Sequence, residues 1–307
     1  MANEFELIVE WQRASRPHAA VELGIGDDTA ILNPLGTDGR TLVTVDLIAE
    51  GTHFAMPPAT PADVGRKALG VNLSDIAAMA GRPEAAFVAV LLPRRLGADC
   101  ARELVLGMRP LADEYGVAIA GGDTNVWDGP LVVSVTLLGS CGCAGAVRRS
   151  GAQSGDWLFV TGALGGSLFG RHLHVQPRIR EALELSEAVD LHAMLDLSDG
   201  LSRDLPHLTI EQGLGAILLA ERIPIHADVP ATQSADQRLT HALNDGEDFE
   251  LLFAVSPEDG QRLLERNVVD LPLSHIGEVT TGPAVCQLQQ LDGRLVPLPA
   301  AGYEHQF

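Results

Sequence analysis

Six short segments of this chain place aspartate where an apolar run gives way to glycine or is flanked by it. They are GIGDDTAIL (Gly24 to Leu32), TLVTVDLIAEGTHF (Thr41 to Phe54), NLSDIAAMAG (Asn72 to Gly81), VAIAGGDTN (Val117 to Asn125), LDLSDGLSRDL (Leu195 to Leu205) and NDGEDFELLF (Asn244 to Phe253). Carboxylates carried into a fold on apolar segments lose hydration and repel one another unless positive charge lies between them. The chain has one lysine, Lys67, too little to serve six such motifs. A divalent metal meets the need. Oxygen-only donors favour hard cations, Mg²⁺ first, and Mg²⁺ in proteins usually serves a phosphate-bearing substrate.

Composition narrows the class. With 307 residues the chain can bury a sizeable core in one large or two ordinary domains. A formal net charge of −20 argues against a protein that reads nucleic-acid backbone. Much of that acidity, Glu181, Glu184 and Glu187 among it, belongs on a solvated surface. The start, MANEFELIVEWQ, has no basic leader, and the longest apolar run, AAFVAVLLP, is too short to span a bilayer. A cytoplasmic protein with no membrane partner is expected. Cys100, Cys141, Cys143 and Cys286 form no CxxC pair and read as reduced thiols.

The pattern of elements is α/β. TLVTVD predicts a strand that delivers Asp46 at its end, and residues 63–79 a helix opened by Thr60-Pro61. AAFVAVLLP predicts a buried strand, 99–115 a helix containing Pro110, and VAIAGGD and LVVSVTLLGS two strands around a turn at Trp127-Asp128-Gly129-Pro130. The linker-like RRSGAQSG predicts a boundary, giving units 1–148 and 149–307. In the second unit DWLFVTG reads as a strand, 178–189 as a helix, AMLDLSDGL as a strand entering a helix, ALNDGEDFELLFAV as a loop entering a strand, and 261–267 as helical.

Taken singly, the motifs stay ambiguous. Gly24-Ile25-Gly26 before Asp27 and Asp28 reads equally as a turn or a cation site. Asp75 sits mid-helix, where capping is a poor explanation. Asp123 after Gly121-Gly122 reads as a strand-end ligand or a turn residue. Asp196, Ser198, Asp199 and Gly200 could cap the helix starting near Leu201, and a helix N-terminus also attracts phosphate. No Walker-type GxxxxGK[ST], protein-kinase set, nucleophile elbow or HExxH occurs. GALGG (Gly162 to Gly166) is a weak dinucleotide loop and reads better as a flexible connection. His53 stands out only by its place after Glu50-Gly51.

In their order along the chain, GIGDDTAIL, the EGTHF segment, KALGVNLSDIAAMAG, GGDT, RSGAQSGDWLFVTG, LDLSDGLSRDL, NDGEDFELLF and the terminal GYEHQF resemble the thiamine-monophosphate kinase family of the aminoimidazole-ribonucleotide synthetase superfamily. The resemblance implies a two-domain α/β (α+β) fold whose N-terminal mixed sheet pairs across a homodimer, followed by a C-terminal α/β domain. It implies transfer of the γ-phosphoryl of ATP to thiamine phosphate with several Mg²⁺ ions. Carried over by motif, Asp28, Thr44, Asp46, Asp75, Asp123, Asp196 and Asp199 would be metal ligands, with Asp46, Asp123 and Asp196 closest to the chemistry. Tyr115, Gly122, Asp123, Arg149 and Ser198 would contact ATP, and His53, Glu247 and Tyr303 the thiamine phosphate.

Two departures stand out. The family's paired hydroxyls before the strand Asp read Thr44-Val45 here, and the stretch after Gly166 leaves room only for a stub of helix. Within enzymes the runner-up is another ATP-using member of the superfamily, a selenophosphate or aminoimidazole-ribonucleotide synthetase; the first cysteine is Cys100, late for the former, and the chain ends in His305-Gln306-Phe307, without the C-terminal cysteine of a hydrogenase-maturation relative. A non-catalytic metal-binding protein is the alternative of a different class.

Overall fold

The computed structural model describes residues 21–23, 27–32, 40–142, 145–298 and 300–304. The N-terminal segment, Gly24 to Gly26, Cys143 and the final His305, Gln306 and Phe307 lie outside the described residues.

β-branched residues alternating with polar ones between Arg40 and Ala49 form β3, which follows the short strands β1 (Val21–Leu23) and β2 (Ala30–Leu32). With β4 (Arg82–Pro93), β5 (Ala118–Trp127) and β6 (Val132–Cys141) they make a six-stranded sheet of order β1-β2-β3-β6-β4-β5. Only β4 and β5 in it pair in parallel. Because β3 runs on to Ala49, Asp46 lies inside the strand and not at its end as expected; likewise Asp123 lies within β5. β4 is also not buried on both faces: Phe87, Ala89 and Leu91 are exposed while Ala86, Val88 and Val90 are covered. Hydrophobicity alone does not reveal which apolar face its own chain covers.

The covered face carries helices α1 (Pro61–Ala78) and α2 (Gly97–Tyr115). Thr60 opens α1 with a capping box, its hydroxyl accepting from the Asp63 amide and the Asp63 carboxylate accepting from the Thr60 amide, which satisfies two otherwise orphaned donors. The two helices cross at glycine. A Cβ on Gly65 would lie 1.9 Å from the Leu104 carbonyl oxygen, and one on Gly107 1.9 Å from that of Ala62, so only glycine permits this approach. α1 is therefore buried on nearly every side; each of Leu69, Leu73 and Ile76 contributes about 1.5–3 kcal/mol of burial free energy.

The second sheet has seven strands in the order β13-β12-β9-β11-β7-β10-β8. These are β7 (Trp157–Thr161), β8 (Leu191–Asp196), β9 (Gly215–Leu219), β10 (Leu251–Val255), β11 (Leu273–Thr280), β12 (Cys286–Gln289) and β13 (Leu295–Pro297). Its runs LFV and LLFAV are buried on both faces. Phe159 and Phe253 join the core around α1, whereas Leu158, Val160 and Leu252 join a second core. That second core takes in α4 (Leu201–Thr209) and α5 (Ala235–Asn244), with Leu201, Leu205, Ala242 and Leu243. α5 went unrecognised in the sequence. α3 (Ile179–Ala188) matches expectation, and α6 spans Pro257–Glu265, earlier than 261–267. The stub after Gly166 is two 3₁₀ turns, Ser167–Phe169 and Arg171–Leu173. No helix among the described residues is long and apolar enough to cross a membrane.

Arg178, just before α3, meets the buried Glu250 with the Nε/Nη2 edge of its guanidinium, Nε donating to Oε2 at 2.8 Å and Nη2 to Oε1, and Thr161 Oγ1 donates to Oε2 at 2.6 Å. Burial pushes the Glu250 carboxyl above its ordinary value even with Arg178 opposing. Replacing Arg178 by Met strands a buried carboxyl. The expected loss is about 3 kcal/mol of unfolding free energy by denaturant titration, partly recovered when Glu250→Gln is added.

Candidate active site

α1 brings its polar residues to the junction of the two sheets. Asn72 fixes the strand beside it: its Nδ2 donates to the Ala68 carbonyl at 2.9 Å, which leaves Oδ1 to accept from the Asp46 amide at 3.2 Å. Thr44 Oγ1 donates to Asp75, and Ser74 Oγ donates to Asp196 Oδ2 at 2.5 Å across 122 positions of sequence. Hydroxyls thus hold the Asp75 and Asp196 carboxylates, and Asn72 holds the strand backbone at Asp46.

Carboxylate oxygens of Asp28, Asp75 and Asp196 all lie within 4.8 Å of one another. Burial, then the charge of Asp28, pushes Asp196 up to about 8. Asp46 is pushed up to about 6, chiefly by burial, with the Asp28 charge adding to it. Asp75, half-buried, is raised well above the carboxylate range by desolvation and then by the charges of Asp46, Asp196 and Asp28. Among the described residues the one cation at the cluster is Arg149, whose Nε donates to Asp28 Oδ2 at 3.0 Å and lies 3.6 Å from Asp27. Four or five acids against one guanidinium leave unbalanced negative charge, and all-oxygen donors at this spacing fit a hard divalent cation.

Two cavities share this wall. One, about 480 Å³, is lined by Asp46, Asp75, Asp196 and Ser198 on one side and by His53, Glu247 and Tyr303 on the other, with Asp199 also in its lining. The second, about 410 Å³, has the same four residues plus Asp28, Thr44 and Arg149. The residues expected to hold thiamine phosphate therefore gather in one cavity. Of those expected to hold metal or nucleotide, Asp28, Thr44 and Arg149 line the other and Asp46, Asp75, Asp196 and Ser198 the common wall, whereas Asp199 lines the first cavity alone.

Some expected residues do not join. In register across the sheet, Leu47, Ser134, Ala89 and Asp123 form one row, on the exposed face, while Asp46 shares its row with Val135, Val88 and Gly122. Asp123 thus lies on the opposite face from Asp46 and three strands away, roughly 14 Å at ordinary strand spacing. Tyr115 is packed in the core with its hydroxyl on the Pro177 carbonyl at 2.9 Å, outside both cavities. The helix-cap reading of Asp196 and Asp199 is also corrected. Gly200 of that cluster is the N-cap residue of α4, with no side-chain cap bond, and Asp204 within the helix accepts from the Asp199 and Gly200 amides at 3.1 Å each. Val45 puts a methyl-bearing side chain, 60 % exposed, where the expected second hydroxyl would stand.

Lys67 and His172 were not singled out for this cavity, yet both line it. Lys67 is wholly buried on α1; its Nζ donates to the His53 carbonyl at 2.7 Å and to Glu247 Oε2, and lies 3.0 Å from His172 Nδ1. Glu247 itself has φ of +52°, a strained conformation for a residue with a side chain, and its amide donates to the Ser198 carbonyl at 2.6 Å. Burial pushes its carboxyl up, but His172 and Lys67 outweigh that and hold it below the usual range. A lone lysine on a helical apolar stripe was the one signal available.

Relatives match throughout this framework. The family model for AIR synthase related protein, N-terminal domain, matches residues 26–141, and that for the C-terminal domain matches residues 132–286. The thiamine-monophosphate kinase of Rhodopirellula baltica is 42% identical over 287 residues, covering 91% of this chain and 89% of its own. That of Escherichia coli K12 is 34% identical over 332 residues, covering 99% and 98%. Among solved structures, AaThiL complexed with AMPPCP and TMP aligns with a TM-score of 0.83 at 28% identity over 99% of this chain and 97% of that one. Likeness of this extent in sequence and fold, through both sheets and the cavities between them, places the chain in the thiamine-monophosphate kinase family of AIR-synthase-related proteins.

Proposed function

We propose that the protein transfers the γ-phosphoryl group of ATP to thiamine phosphate, forming thiamine diphosphate and ADP, by direct in-line displacement. The observation that carries this reading is the wall of Asp46, Asp75, Asp196 and Ser198 common to two cavities. Two anionic substrates entering from opposite sides would meet at those carboxylates. His53, Glu247 and Tyr303 would hold thiamine phosphate in the first cavity; Arg149 and Ser198 would hold ATP in the second. Asp28, Thr44, Asp46, Asp75, Asp196 and Asp199 are the residues offered to Mg²⁺, which when bound would supply the positive charge that neutralises the transferring phosphoryl.

An oxygen of the acceptor phosphate forms a bond to the γ-phosphorus as the bond to the β,γ-bridging oxygen breaks, and ADP leaves with that electron pair. The acceptor's second pKa is about 6, so it is largely ionised at neutral pH and needs no general base. This accounts for a site rich in carboxylates with no activated nucleophile. The fixed geometry of half-buried Asp75 and buried Asp196 supplies the positioning.

Asp123 would join the site from a second subunit paired through the exposed face of the first sheet; Tyr115 and Gly122 do not lie on that face. Residues 1–148 would form the metal-binding and dimerising unit and 149–307 the C-terminal unit, working in the cytoplasm.

Phosphate-acceptor screening tests the reading. ATP turnover with Mg²⁺ is expected only when thiamine phosphate is present, with thiamine diphosphate as product. Incubation with γ-labelled ATP and no acceptor should leave the chain unlabelled. Metal binding without acceptor-dependent turnover would instead support a non-catalytic role.

A further inference from the structure

Glu247 enters the acceptor cavity on a loop that has no regular secondary structure between α5 and β10. Side chains on such loops are ordinarily the least well fixed parts of a site. This one is clamped. Lys67 and His172 both contact Oε2 of its carboxylate, His172 Nδ1 at 3.0 Å, so that one carboxylate oxygen is engaged by protein and Oε1 is left for a ligand. Lys67 reaches from α1, 180 positions away in sequence, and His172 from the second 3₁₀ turn.

The ammonium donates to the His53 carbonyl and to the Glu247 carboxylate, and His172 Nδ1 lies 3.0 Å from both Nζ and Oε2. Lys67 is also joined to His53 through that residue's backbone, while the His53 ring accepts the Ala49 amide on Nδ1 at 3.0 Å. One buried side chain therefore ties together two of the three residues read as binding thiamine phosphate.

We infer that Lys67, with His172, is a positioning residue for the acceptor: it fixes the Glu247 carboxylate, with Oε1 presented to the organic part of thiamine phosphate, and anchors the His53 loop beside it. This rests on the kinase reading above and adds to it the source of acceptor affinity. The role is separate from the chemistry, because Lys67 lines only the acceptor cavity and has no contact with Arg149 or Asp28 among its described bonds. It predicts an effect on acceptor binding much larger than any effect on nucleotide binding.

The test is a double-mutant cycle read by steady-state kinetics. Lys67→Met is expected to raise KM for thiamine phosphate about tenfold or more, the scale of a charge-assisted hydrogen bond lost from a buried site, with KM for ATP unmoved. In a Glu247→Gln background the same change should add little, because the group it acts through has gone. Equal, additive losses in both backgrounds, or a loss shared equally by both substrates, would overturn the positioning role. If Lys67→Met does not fold, His172→Gln is measured in the same cycle with the same two outcomes. Unmodified protein that turns over no thiamine phosphate overturns the kinase reading and this one together; activity with an unmoved acceptor KM overturns this one alone.

Discussion

Asp75→Asn is expected to cut phosphoryl transfer by on the order of 10²-fold or more while leaving the fold intact. Asp75 lines both cavities, and its carboxylate is one of the three whose oxygens approach within 4.8 Å. Asparagine keeps an oxygen to accept from Thr44, so the hydrogen bond that seats the side chain survives. What is removed is negative charge at the centre of the cluster. In chelator the variant should therefore melt at the same temperature as the unmodified protein or higher, whereas Mg²⁺ should raise the melting temperature of the unmodified protein far more than that of the variant.

The sign of the pH dependence follows from the same repulsion. Asp46 and Asp196 have folded-state values of about 6 and about 8, above those of the unfolded chain. The unfolded chain gives up these protons first, so the stability these two groups contribute in chelator is greatest below the ordinary carboxylate range and is lost as pH rises through about 6 for Asp46 and about 8 for Asp196. Saturating Mg²⁺ should flatten that decline. A chelated protein whose melting temperature rises over this range, or an Asp75→Asn enzyme with near-normal turnover at limiting Mg²⁺, would remove the cluster from the mechanism.

Phe87→Glu is expected to convert a dimer into a folded monomer with little activity. Val45, Thr136 and Phe87 form one row across β3, β6 and β4, next to the row that holds Leu47 and Asp123. Val45 and Leu47 are 60% and 55% exposed, a concentration of apolar surface that single-chain proteins rarely leave in water. Closed two-fold pairing is the commonest way to cover such a face, and would also bring a second Asp123 toward the site. Phe87 lines neither cavity, so the substitution tests association without touching the residues that bind substrate. Light scattering should give about twice 32.5 kDa for the unmodified protein and the single-chain mass for the variant. A monomeric unmodified protein with full activity would reject the paired arrangement.

The sequence by itself determined a good deal: the element types of the first half, the strand and helix that carry Asp46 and Asp75, and an oxygen-donor chemistry suited to Mg²⁺. These are local matters, since side-chain period and glycine placement act over a few residues. Its element boundaries were less secure, because Asp46 and Asp123 proved to lie inside strands that continue past them. Tertiary structure alone decided which carboxylates meet. The Ser74 contact to Asp196 and the Lys67 contact to Glu247 join positions 122 and 180 apart, and a period of 2 or 3.6 says which face a residue takes but not what lies opposite it. The same holds for Asp123. Its motif reads like that of the other acids, but the register of four strands turns it to the exposed face, away from the cluster of its own chain.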